Sequence, residues 1–207
     1  MKYFFSSPHT SSEVFKDFGI TRVLMSYALD KKTALKCTHY KEVIIDSGAF
    51  SLWNNGKGEI NIDEYIAYCL SLPQDWWFVN LDVIPETGSG KEAVNQAAER
   101  SFVNYEYMRN RVKNVLPVYH YGEHIDFLKK YMYYTNYIGI SPANDTHEQT
   151  KRDFLRQSFW VTRDKIKTHG FGYSSFEGLE LFPFYSVDSV SYKKVHFHQA
   201  NKQFWGG

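Results

Sequence analysis

Short runs of β-branched and aromatic residues, each ending in a polar tip, recur along this chain at intervals of 20–35 residues. The clearest are Val43-Ile44-Ile45 before Asp46, Trp76–Leu81 before Asp82, Tyr137–Ser141 before Pro142, and Leu181–Tyr185 before Ser186-Val187-Asp188. Helical periodicity fills the gaps. The longest stretch, Glu92–Arg111, places Val94, Ala97, Ala98, Phe102, Tyr105 and Met108 or Arg109 at spacings of three and four. Alternation of this kind means βα units joined by right-handed crossovers around a parallel sheet. The unbroken Val43–Ile45 run fits a strand covered on both faces.

Further strands are expected at Tyr3–Ser6, Arg22–Tyr27, Val115–Tyr119 and Lys167–Tyr173, with a last one around Val195 and Phe197. Shorter helices are expected over Ser11–Phe18, Glu64–Ser71 behind an Asp63 cap, Ile125–Tyr133 and His147–Arg163, and a very short one from Ser174 or Ser175 to Gly178. The loop Asn54–Gly58 reads as irregular. Seven or eight strands fit either an open doubly wound sheet or a closed, TIM-type (β/α)8 barrel. The barrel would be compact, since about 250 residues is typical of that fold. No repeat or linker interrupts the 207 residues, so one α/β domain over residues 1–207 is expected.

Composition excludes more than it assigns. A formal net charge of +1 gives no overall nucleic-acid signal. The acidic excess lies before residue 100 and the basic excess after it, a bias compatible with phosphate contacts. Two cysteines, Cys37 and Cys69, form neither a disulfide framework nor a zinc spacing. No apolar run approaches the roughly 20 residues of a membrane span, and the amino terminus is too polar for a signal peptide. A reducing intracellular compartment is the default.

Asp46, Asp82 and Asp188 are the residues most suited to chemistry. At a strand tip each could merely cap a turn. Three carboxylates meeting at one rim repel one another and lose hydration, so stability does not account for all three. Metal binding, sugar chemistry and recognition of a donor-rich base do. No D-x-D pair or other metal signature appears. Gly48 allows either close backbone approach to a ligand or a dihedral that other residues avoid. Gly139, mid-strand, marks either a ligand approach or relief of crowding. His120 and His169 stand near tips without an evident partner. Phosphate contacts could come from Arg109, Arg111 and Lys113, or from Lys165, Lys167, Lys193 and Lys194. Phosphate-loop and dinucleotide glycine motifs are absent.

D-S-G-A-F at 46–50, L-D-V-I-P at 81–85, I-G-I-S at 138–141 and the H-G-F-G-Y…F-Y-S-V-D-S stretch at 169–189 resemble the tRNA-guanine transglycosylase superfamily. The similarity is strongest to its short, phage-type or DNA-modifying branch and extends from about residue 41 to 192. The resemblance implies a (β/α)8 barrel that exchanges guanine in a polynucleotide for a free 7-deazaguanine, without a cofactor. It implies Asp188 as nucleophile, Asp46 as a base-contacting or acid/base carboxylate, and Asp82 as reader of the amine and ring N–H edge. Gly139, Ser47, Gly48 and Phe50 would line the base. The region after Asp188 lacks the cysteines that build the zinc site of the tRNA enzymes, and the insertion that supports tRNA contacts is missing. DNA is therefore expected over tRNA, and no metal. For a phage-encoded chain the setting would be the host cytoplasm. A hydrolytic N-glycosidase on a barrel, or a non-catalytic binder of nucleic acid or deazapurine, are the alternatives.

Overall fold

In the computed structural model the chain is described over residues 1–6, 12–56, 58–86, 88–142, 146–163, 165–173 and 175–189. The sheet is wholly parallel. Its strands are β1 (Lys2–Ser6), β2 (Arg22–Ser26), β3 (Glu42–Asp46), β4 (Trp77–Val79), β5 (Val115–Leu116), β6 (Val118–His120), β7 (Tyr137–Ser141), β8 (Lys167–Gly170) and β9 (Ser186–Ser189). The spatial order is β5-β4-β3-β2-β1-β9-β8-β7-β6.

The two ends of that order are consecutive in the chain, separated by Pro117 alone. Proline has no N–H and cannot donate to a ladder. The first half of the interrupted strand pairs with β4, through Phe78↔Val115 and Val79↔Leu116. The second half pairs with β7, through Val118↔Gly139. The Pro117 carbonyl itself accepts from Gly139 N at 2.8 Å. The sheet thus closes into an eight-fold (β/α) barrel, the closed alternative of the two that the strand count allowed.

The helices are α1 (Ser12–Asp17), α2 (Tyr27–Asp30), α3 (Ala49–Asn54), α4 (Ile62–Leu70), α5 (Lys91–Arg109), α6 (Ile125–Tyr134), α7 (Glu148–Thr162) and α8 (Phe176–Leu181). Outward strand residues such as Val23, Ile45, Phe78, Ile138 and Val187 meet Phe15, Tyr65, Phe102, Leu128 and Leu155 from these helices. Strands covered on both faces have lost the period-2 signal: β2 and β3 each bury three consecutive apolar residues.

Inside the barrel, alternate residues of β1, β2 and β3 form levels. Lys2, Arg22 and Glu42 close the bottom, with Glu42 accepting from Lys2 and, at 2.6 Å, from Arg22 Nε. Phe4, Leu24 and Ile44 occupy the middle with Val79, Leu116, Val118 and Tyr137. By the same alternation Ser6, Ser26 and Asp46 face the top, the carboxyl end of the strands.

Several boundaries differ from the sequence reading. Leu181 ends a helix rather than starting a strand, and β9 begins only at Ser186. Asp188 is therefore inside a strand, on its inward face, not past its tip. The apolar run Leu181–Tyr185 owes its character to packing: Phe182 and Phe184 pack against Phe159 of α7. No helix was expected over Ala49–Asn54, which forms α3; the loop expected at Asn54–Gly58 starts as that helix ends. Asn61, not Asp63, caps α4, its Oδ1 accepting from Asp63 N and Glu64 N. The last strand expected around Val195 and Phe197 lies outside the described residues.

Candidate functional site

Three aspartates, two histidines and one glutamate gather at the carboxyl end of the barrel. Asp188 on β9 is 7% exposed. Its Oδ2 accepts from Ser6 Oγ at 2.8 Å, and its Oδ1 from Gly172 N at 3.0 Å. His169 Nε2 stands 3.3 Å from the same Oδ1. Behind His169 the polar contacts run down into the barrel: Nδ1 lies 2.8 Å from Ser186 Oγ, which lies 2.6 Å from Tyr137 Oη. One assignment satisfies every group. Tyr137 donates to Ser186, Ser186 donates to Nδ1, and Nε2–H faces the carboxylate. His169 is fully buried, and Phe4 and Phe171 pack edge-on against its ring.

Asp46 ends β3 and accepts from Gly48 N at 3.1 Å. Burial, then the charges of Asp188 and Asp82, push its carboxyl up to about 7. Asp188 and Asp82 act on Asp46 in this way because the three side chains share the carboxyl end of the barrel. Gly48 has φ 76°, and a Cβ there would fall 2.4 Å from Ser26 Oγ and 2.6 Å from Ala28 Cβ. Of the two uses that the sequence left open for Gly48, the constrained dihedral is shown. Ser47 is buried, and Phe50 on α3 is 62% exposed.

Asp82 follows β4 and is held from α5. Asn80 Nδ2 donates to Asp82 Oδ1 at 3.0 Å and to Ser101 O at 2.9 Å. Ser101 Oγ accepts from Val83 N, and Asn104 Nδ2 donates to Leu81 O. Burial raises the Asp82 carboxyl to about 6, against the pull of His120. His120 ends β6, with Nε2 3.5 Å from Asp82 Oδ2 and Nδ1 3.0 Å from Glu123 Oε1. Burial opposes its charged form, but Asp82 and Glu123 outweigh burial and lift it to about 9.

Gly139 relieves crowding: a Cβ there would lie 2.4 Å from the Phe171 ring and 3.1 Å from Val118. A cleft of about 610 Å³ reaches Asp82 from outside, between Trp53 of α3, Glu59, Glu86 and Arg100 of α5. On the other side of α3 a second cleft, of about 550 Å³, is lined by Tyr27, Leu29, Lys31, Lys32 and Leu52. The basic residues expected along a phosphate path are elsewhere. Arg109 and Arg111 end or follow α5 just before β5 begins, and Lys113, Lys165 and Lys167 precede or open strands. That is the bottom of the barrel, opposite the site. Arg111 there stacks on Tyr107 and Lys167 on Tyr185. Lys193 and Lys194 lie outside the described residues.

The structure thus brings Asp46, Asp82, Asp188, His120 and His169 together. Ser6, Asn80, Glu123, Tyr137 and Ser186 were not singled out from sequence. A signal existed for two of them: Glu123 follows His120 by three residues, and Ser186 precedes Asp188 by two. Among the described residues no group of three or more His, Cys, Asp and Glu side chains is arranged to hold a metal ion, and no helix is long and apolar enough to cross a membrane.

No protein-family profile and no curated protein matches the chain. Among solved structures it is similar to an HpcH/HpaI aldolase from Desulfitobacterium hafniense DCB-2, with a TM-score of 0.56 and 7% identity over 100% of this chain and 93% of that one. At that identity the likeness is one of fold: the barrel is shared.

Proposed function

We propose that the protein is a base-exchange transglycosylase that replaces guanine in a polynucleotide, DNA in preference to tRNA, with a free 7-deazaguanine. The observation that carries the reading is the placement, across one barrel mouth, of Asp188, oriented by three neighbours, and Asp46, whose carboxyl burial pushes up to about 7. A nucleophile and a proton carrier are the two groups that a double displacement at C1′ requires.

In the first step an Asp188 oxygen bonds to C1′ as the C1′–N9 bond breaks. The electron pair leaves with guanine, and Asp46 returns a proton to it. In the second step Asp46 takes the N9 proton of the incoming base, N9 bonds to C1′, and the Asp188–C1′ bond breaks. The oxocarbenium-like transition states gain from the anions around them. Asp82 is an acceptor and suits the N1–H and amine of a guanine-type base. The target nucleotide must leave its stack to reach this mouth. The choice of a polynucleotide and of a deazapurine rests on the four motifs that resemble the guanine transglycosylases. Lys31 and Lys32, on the same rim as Asp46, support an anionic substrate.

Intact-mass analysis after incubation with guanine-containing DNA and, in parallel, with tRNA tests the reading. A covalent adduct is expected with wild type and none with Asp188→Asn, with exchange reduced at least about a thousandfold. Labelled guanine should enter the polymer. Release of base without incorporation would make the enzyme a hydrolase, and full exchange by Asp188→Asn would remove Asp188 as nucleophile.

A further inference from the structure

The described cations expected along a phosphate path, joined by Arg163, gather at the end of the barrel away from the mouth. The displacement steps do not use them. The helices α5, α6 and α7 run back from the carboxyl end of the sheet, so their last turns lie at the bottom, where β5, β7 and β8 begin. Arg109 and Arg111 stand at the end of α5 and Arg163 at the end of α7, with Lys113, Lys165 and Lys167 in or beside the turns that follow. All six are exposed. None makes an ion pair among the described residues. Higher on α6 and α7, by contrast, Lys129 pairs with Asp126, Lys130 with Glu99, Arg152 with Glu177 and Arg156 with Asp153. Opposing charge at the bottom comes from Glu106 on α5 and Asp75 before β4, and Asp164 lies outside the described residues.

These cations alternate with rings. The guanidinium carbon of Arg111 lies 3.6 Å from the Tyr107 ring centre, that of Arg163 3.7 Å from Trp160, and that of Arg109 4.8 Å from Tyr134 across the seam between α5 and α6. Tyr107 is held by its hydroxyl, which donates to Asp63 at 2.8 Å. Tyr134 meets Tyr133 edge-on at 5.1 Å. The band continues into the next turn, where Lys167 N donates to Asn136 O at 2.8 Å and Lys167 Nζ sits 4.9 Å over Tyr185. Trp160 is 70% exposed and Tyr133 85%. An indole with a guanidinium on one face and solvent on the other keeps a face for a flat partner.

Helix dipoles account for part of this, since a cation is favoured at a helix carboxyl end. That covers Arg109 and Arg163. It does not cover Lys113, Lys165 and Lys167, or the exposed rings. Arg163 also takes a left-handed backbone after α7, at φ 36°, where glycine is the usual residue. Its Nε donates to Trp160 O at 2.9 Å, which fixes the guanidinium against the indole. We propose that this end of the barrel is a second polynucleotide-binding surface, for single strands, in which the exposed rings stack on bases and the cations without carboxylate partners hold phosphates. Every base has a face to stack, and cations along a backbone need no particular sequence. The surface is opposite the mouth, so it holds a different part of the polymer from the nucleotide that reacts. A strand tethered there keeps its other nucleotides at raised local concentration around the mouth. Only that last consequence rests on the base-exchange reading.

Fluorescence anisotropy of labelled oligothymidylate, about 16 nucleotides long to span one site, reads this surface without offering guanine to the mouth. The full chain should bind it, with log K falling against log salt by about 0.7 for each phosphate held. Lys113→Gln combined with Lys165→Gln should flatten that slope by about 1.4. Lys129→Gln, which removes a cation already paired, should leave the slope as in wild type. Trp160→Ala should weaken oligothymidylate at least about fivefold and leave an abasic strand of the same length unaffected. No binding of oligothymidylate by wild type overturns the proposal and leaves the band to an acidic protein surface. An unmoved slope in the double lysine variant overturns it too, by placing the strand elsewhere. Equal binding of duplex and single strand, with Trp160→Ala inert, overturns the stacking role. A covalent adduct with guanine-containing DNA but no oligothymidylate binding sinks this surface alone. Oligothymidylate binding without an adduct sinks base exchange alone.

Discussion

His169 Nε2 faces Asp188 Oδ1 at 3.3 Å, and the two residues are tied a second time through Ser186, which is the register partner of His169 on β9. The pair is thus fixed by both the ladder and the side chains. The Ser186–Tyr137 contacts below it fix which imidazole nitrogen carries the proton. Asp188 is the end of a chain of hydrogen bonds that starts deep in the barrel.

Breaking that chain at its far end should therefore reach Asp188, the proposed nucleophile, without touching the barrel mouth. Tyr137→Phe removes one buried donor and should cost about 1 kcal/mol of stability. His169→Gln retains an N–H in place of Nε2 and should keep much of the adduct-forming rate. His169→Leu leaves one contact of Asp188 unmade and should slow adduct formation by about a hundredfold at unchanged substrate affinity. Rapid-quench measurement of adduct against binding separates these. A loss of affinity with the rate intact would make His169 a packing residue only.

On the base-exchange proposal, Asp82→Ala removes the acceptor for the N1–H and amine edge. Discrimination of guanine from hypoxanthine, which lacks the amine, should fall by roughly tenfold or more. Competition with labelled bases reads the ratio. An unaltered ratio would take base reading away from Asp82.

The carboxyls of Asp46 and Asp82 are raised in the folded chain, to about 7 and about 6 from the ordinary 3.8. Between those limits the folded state binds more protons than the unfolded one, so stability falls as pH rises. Their contribution is fully present below about pH 4 and gone above about 7. His120, raised to about 9 from 6.5, adds a decline of the same sign over the higher window. Asp46→Asn imitates the protonated form. It should unfold at the same temperature as wild type at pH 4.5 and at a higher temperature at pH 8, followed by circular dichroism. Parallel curves for the two proteins would mean that Asp46 is not raised.

Gly48→Ala meets two obstacles: φ is 76°, and the added methyl would contact Ser26 at the end of β2 and Ala28 of α2. A loss of about 1–3 kcal/mol in urea unfolding is expected. Gly58→Ala also has positive φ, at 85°, but no atom within 4 Å, so it should lose clearly less. Equal losses would leave the packing against β2 without effect.

Local pattern determined much of this protein. The β-branched runs, the helical periods between them and the polar tips specify parallel βα units with carboxylates at one end of the sheet, because buried strands and amphipathic helices differ in the spacing of their apolar residues. Asp46, Asp82, Asp188, His120 and His169 were legible for that reason. Closure was implied by the resemblance but not by the pattern, since it depends on Pro117 handing one half of a strand to β4 and the other to β7. The position of Asp188 was not legible either. Leu181–Tyr185 is as apolar as a strand, and only the helical α8 and the packing of Phe182 and Phe184 on Phe159 decide otherwise. The partners of the site residues were the least accessible. Ser6 and Asp188 are 182 positions apart and bond only because β1 lies beside β9 in the barrel. Hydrogen bonds of that range carry no periodic trace in a sequence; strand order alone brings their ends together.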